Sequence, residues 1–213
     1  MKKLYIIGGK STALEIRETV DLHYIAQFDV IKNVIGDNED PIDYSFVRDL
    51  DIIHLDEDDS SENYYIISFT NFKLRQKFAK ILKNNNFIPF TVIHPDAFVA
   101  KSASLGKNVY ISKGAVVSSY AIVNDNCIIN INAIVGHDAE LSENVVLNPG
   151  SFVGGGAKIS NNVLIGGNSF IKQGISIGAN VLVDAMTYVN KDIEPDVMCT
   201  NNSKLSIYKN IYK

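Results

Sequence analysis

One hydrophobic register constrains this chain more than any other feature: a Val, Leu or Ile recurs every six residues from Val99 to Val189 without a break. Two positions before each member stands a small or β-branched residue, beginning Ala97, Ala103, Val109, Ala115 and Ala121 and running through Cys127, Ala133 and Ala139 to Val181 and Thr187. In a short strand, residues two apart share a face, and the remaining residues of each hexad turn the chain through a corner. The pattern is the hexapeptide repeat of a parallel β-helix. If three hexads close one coil, residues stack 18 positions apart and 99–188 supply five coils. Each coil buries its aliphatic side chains only against its neighbours, so the repeat has to be long.

Before the repeat the pattern changes. Residues 3–7 read as a strand ending in Gly8-Gly9, and residues 11–20 as a helix with Ser11 or Thr12 as N-cap. A strand is expected near 23–30, irregular acidic sequence from Asp37 to Asn63, a strand over 64–69 and a helix over 72–86. Residues 87–93 then lead into the repeat. This alternation predicts a small parallel α/β domain over 1–90, a β-helix domain over 91–190 and a tail over 191–213 that leaves the register.

The chain has 213 residues, 46% of them hydrophobic, which suffices for one ordinary domain and a smaller one. No apolar run reaches the roughly 18 residues of a membrane span, and the first strand passes into Gly-Gly without a signal-peptide cleavage region. Cytoplasmic residence is the expectation. Of two cysteines, Cys127 occupies an inward small-residue slot, as a buried hydrophobe. A net charge of −4 and no basic stripe argue against nucleic acid.

The Gly8–Ala13 turn invites a nucleotide reading, because a strand-to-helix turn presents N–H groups to phosphate. A P-loop is rejected since Leu4 stands where its first glycine belongs, and GxGxxG fails at Lys10 and Ala13. A structural turn and a ligand-contacting turn both remain open on the residues alone. Clearer chemistry lies at His137, the only histidine in the regular coils, where the corner turns outward. Eighteen residues on is Gly155, within Gly154-Gly155-Gly156, so the next coil is cleared of side chains beside the imidazole. That is the layout of a general base next to a slot for an extended ligand, with Asp138 placed to hold the basic tautomer. Three histidines at coil spacing for zinc are not available, because His23, His54 and His94 do not fall into register with His137.

These residues resemble the bacterial sugar acetyltransferases that include the sialic acid O-acetyltransferases and the nucleotide-4-amino-sugar N-acetyltransferases of surface-glycan biosynthesis. The resemblance covers nearly the whole chain: the glycine turn, a linking His94-Pro95 dipeptide, the coils and the His137-Asp138 pair. It implies a Rossmann-like N-terminal domain, a left-handed β-helix, a homotrimer, acetyl-CoA as donor with no metal, and a nucleotide-linked sugar as acceptor. It also implies His137 as catalytic base with Asp138 its acidic neighbour, and Gly155, Gly156, Gln173 and Ala185 on the coenzyme. The acceptor would meet Gly8, Gly9, Lys10, Ser11, Thr12, Asp37 and Asn71.

Departures from the family pattern are Thr12 in place of a histidine, Thr70 for a glycine, Asp37-Asn38 for an Asp-Asp pair, and Val146 for a second histidine. A C-terminal Gly-x-Pro-Ala-Lys reads Thr200-Asn201-Asn202-Ser203-Lys204. A xenobiotic acetyltransferase would interrupt the coils, and a serine-type O-acetyltransferase would bring a helical N-terminal region. The alternatives are a non-catalytic trimeric scaffold, supported by Thr12 and Val146, and an O-acetyltransferase with a small non-sugar acceptor.

Overall fold

The computed structural model describes residues 1–8, 10–34 and 61–201. The expectations placed on Gly9, Asp37, Asn38 and the residues after 201 lie outside these. Strand β1 (Lys2–Ile7) is central in a parallel sheet with β2 (Val30–Val34) on one side and β3 (Glu62–Ile67) then β4 (Ile88–Pro89) on the other. Among the described residues, helix α1 (Lys10–His23) and helix α2 (Phe72–Asn84) pack on this sheet.

Alternation along β1 sorts the two cores: Leu4 and Ile6 meet α1 through Ala13, Ile16 and Val20, while Tyr5 and Ile7 meet Phe78 and Leu82 of α2. Ser11 and Thr12 lie inside the first turn of α1 rather than at its cap, since the helix starts at Lys10. The strand expected near 23–30 is displaced. Val20 remains in the core and Arg17 pairs with Asp21 at 2.9 Å, so α1 runs on to His23. A 3₁₀ turn over Ile25–Gln27 follows, and β2 starts only at Val30.

From Val92 the chain winds into a parallel solenoid of about six coils, one more than the register alone assigns, because Val92–Ile93 and Met198–Cys199 pair at its two ends. Strand partners lie 18 apart, as in Ile129 with Leu147. After Val189 the spacing shortens to 16, with Ile193 on Ile177 and Cys199 on Val183. The repeating aliphatics and their small neighbours form one continuous core that includes Cys127.

Corners recur at every hexad with a left-handed residue, from Asn108 at φ 55° to Met186 at φ 57°. Asn and Gly dominate these positions because they tolerate that conformation with least strain. Tyr120 (φ 59°) and Met186 do not belong there on that ground, and both are largely exposed.

The prism has three faces of different chemistry. One presents Val92, Tyr110, Ile128 and Val146, all buried under the sheet and α1. The second presents Phe98, Phe152, Phe170 and Tyr188, with Phe152 and Phe170 stacked at 4.7 Å. The third presents Ser104, Ile122, Glu140, Lys158 and Ser176. Among the described residues, no helix is long and apolar enough to cross a membrane.

Docking of the N-terminal unit centres on the corner between the covered and polar faces. Asn108, Asn126, Asn144, Asn162 and Asn180 stack there, and adjacent amides bond, as between Asn108 and Asn126 at 2.7 Å and between Asn144 and Asn162 at 2.8 Å. Between Asn126 and Asn144 the fully buried Arg75 of α2 enters instead. It donates to Asn144 Oδ1 at 2.8 Å, to the Phe69 carbonyl at 2.9 Å and to the Asn126 carbonyl. Burial lowers its pKa to about 10, and among the described residues three neutral acceptors hold the charge.

Candidate active site at the histidine corner

His137 and Asp138 occupy the corner between the aromatic and polar faces, after Ile134–Val135 and before Glu140–Leu141. Asp138 sits at the left-handed position (φ 57°), and its N–H donates to the Ser119 carbonyl one coil away. This turns its carboxylate toward the imidazole, 2.8 Å from Nδ1. A carboxylate there accepts from Nδ1–H and leaves Nε2 as the basic nitrogen. Both side chains are open to solvent, at 61% and 62% exposure, so ligands can reach them.

The glycines above the histidine have a definite steric role. A Cβ on Gly155 would stand 2.6 Å from His137 Nε2, so the imidazole itself fills the space that the glycine leaves. The column that the sequence presents as a free slot therefore seats the base. Gly136 is required for a related reason, since its Cβ would meet the Gly155 nitrogen at 2.7 Å. Gly156 donates to the His137 carbonyl at 2.8 Å, and among the described residues nothing accepts from the Gly155 N–H. Gln173 follows at the same corner, exposed one coil on. Ala185 does not join them: it sits at the corner between the aromatic and covered faces, where its N–H donates to Asp184.

The acceptor residues gather elsewhere. Because β2 and β3 flank β1 on opposite sides, the connections diverge at the carboxyl ends of β1 and β3, where ligands of parallel sheets bind. Gly8 and Asn71 lie at these two ends, and Lys10, Ser11 and Thr12 form the first turn of α1. Gly8 has φ 139° and is pressed against Ser68, which leaves no room for a side chain. Asn71 caps α2 through a bond from the Leu74 N–H. Two helix starts thus lie at the carboxyl ends of neighbouring strands, and the N–H groups in the first turn of a helix favour an anion. The histidine corner is the edge of the prism opposite the covered face, so the two halves of the expected site lie apart within one chain. Val146 is buried on the covered face and plays no part at the corner.

Tyr120 is the corner residue that the motif reading omits. It stands one coil before Asp138, exposed and in a strained conformation. Its signal in the sequence is an aromatic where the repeat, Met186 apart, puts Asn, Asp or Gly.

No family model and no curated protein matches this sequence. Solved structures do. PerB from Caulobacter crescentus, determined with CoA and GDP-perosamine, superposes with a TM-score of 0.78 at 27% identity over 92% of each chain. A histidine variant of the perosamine N-acetyltransferase from the same organism gives a TM-score of 0.77 at 24% identity, again over 92% of each chain. The acetyltransferase domain of PglB from Neisseria gonorrhoeae gives 0.80 at 22% identity, over 95% of this chain and 98% of that one. The resemblance to sugar acetyltransferases expected from the sequence is met; the structures at 24% and 22% identity share the fold, and the likeness to PerB supports an acyltransferase.

Proposed function

We propose that the protein transfers the acetyl group of acetyl-CoA to an amine or hydroxyl of a nucleotide-linked sugar, with His137 as general base. The observation that carries this reading is the exposed His137–Asp138 pair, seated on Gly155 in a fold shared with PerB. The acceptor attacks the thioester carbonyl as Nε2 removes its proton, the Gly155 N–H bonds to the developing oxyanion, and the imidazolium returns a proton to the departing thiolate. General-base assistance of this kind contributes about 10²–10⁴ in rate, and an oxyanion donor adds to it.

The division of labour is also proposed: residues 1–90 as a Rossmann-like acceptor domain, 91–190 as a left-handed β-helix holding the coenzyme, and 191–213 as a tail. The acceptor's diphosphate would lie at the crevice of Gly8–Thr12 and Asn71. We place the reaction between copies of a cytoplasmic homotrimer. If the aromatic faces surround a threefold axis, the histidine corner of each copy faces the next copy's Ala185 corner, which borders the face carrying its acceptor unit. This arrangement covers Phe98, Phe170 and Tyr188, and it unites two groups of residues that one chain holds apart. Membership of surface-glycan biosynthesis follows from the acceptor class.

The test is coenzyme A release from acetyl-CoA with UDP-, GDP- and dTDP-linked amino sugars. Turnover of at least one of them, lost in His137→Ala, is expected. Native protein that acetylates none would favour a scaffold.

A further inference from the structure

Away from both of these regions, a cavity of about 420 Å³ opens between the C-terminal half of α2 and the asparagine corner. Its size suits a small metabolite. Lys80 and Lys83 reach it from successive turns of α2, and Lys107 from the coil opposite. Among the described residues none of these ammonium groups forms an ion pair. Asp125 and Glu143 line the same cavity, and among the described residues the only hydrogen bond to either carboxylate is from the Lys107 N–H to Asp125 Oδ1 at 2.8 Å.

Neutral groups complete the set. Tyr65 is only 4% exposed, yet its hydroxyl bonds to no described residue and is not sealed from solvent, so it opens on the cavity it lines. Arg75 takes Asn144 Oδ1, the acceptor that the ladder would otherwise offer to Asn126, so among the described residues the Asn126 Nδ2 has no acceptor, and Asn126 lines the cavity together with Tyr65.

We propose that this cavity binds a small phosphorylated polyol, of which a hexose monophosphate is the simplest representative. Three ammonium groups and an amide N–H suit a phosphate dianion, and two carboxylates accept from sugar hydroxyls, with the Tyr65 phenol able to do either. A bare anion would be repelled by Asp125 and Glu143. A neutral sugar would leave the lysines unanswered. The inference rests on no part of the acetyl-transfer reading, because it concerns a different corner of the coil.

Calorimetry on the full chain with glucose 6-phosphate, glucose and inorganic phosphate tests it. Glucose 6-phosphate should bind at least about tenfold more tightly than either of the others, since only it engages both charge sets. Lys107→Met and Tyr65→Phe should each weaken it severalfold while the unfolding midpoint stays within the native range. No binding of glucose 6-phosphate, equal binding of phosphate, or indifference to Lys107→Met would overturn the proposal.

Discussion

The asparagine corner and the histidine corner share a backbone and differ in almost everything else. At the first, one residue type repeats in coil after coil, its amides bond along the stack, and the N-terminal unit covers it through Arg75. At the second, Tyr120, Asp138, Gly156 and Gly174 succeed one another at the left-handed position, and His137 is exposed. Repetition marks where the coil is being held together. Its breakdown marks where side chains are kept for another use, at some cost in strain.

Substitutions should separate the two corners. Arg75→Met removes the donor from three acceptors, two of them in buried bonds, and should lower stability by about 3 kcal/mol, measured by urea unfolding; turnover of the folded protein should fall less than tenfold. A loss below about 0.5 kcal/mol would deny Arg75 its part in docking. His137→Ala should do the reverse, with turnover reduced about 10²-fold or more and an unchanged unfolding curve. Asp138→Asn should follow in the same direction, less severely.

Tyr120→Asn sharpens the contrast. It puts the residue preferred at this backbone into a position now strained, so stability should rise by about 1 kcal/mol while turnover drops. A stabilised variant with full turnover would make Tyr120 an accident of sequence. The smallest effect concerns the thiols. Burial pushes Cys127 up to about 12 and raises Cys199 less far. Iodoacetamide at pH 8 should therefore modify Cys199, in the half-buried last coil, and spare Cys127.

The coil was legible because its inward side chains obey a single period that no tertiary contact modifies. The asparagine ladder and the aromatic column of Phe152, Phe170 and Tyr188 obey the same 18-residue step and were equally open to arithmetic. Seeing them required attention to outward residues. His137 stands out by its isolation and Gly155 by the coil step, although that step reads as an empty slot the space that the imidazole fills. Arg75 was not legible at all. Its helical spacing resembles that of any surface cation, and only the docking of two units distant in sequence buries it.

The central claim is that the histidine corner of one copy works with the acceptor crevice of another. Mixing two variants tests it most directly: His137→Ala, which lacks the base, and Ser11→Glu, which sets a carboxylate at the start of α1, tolerated by the helix but repelling the acceptor's diphosphate. Each alone should be nearly inactive. Refolded together at equal amounts, with mixed trimers verified by native mass spectrometry, they should recover about a quarter of native turnover, the share of sites pairing an intact corner with an intact crevice. Mixed trimers that stay inactive would contradict the claim and return the whole reaction to a single chain.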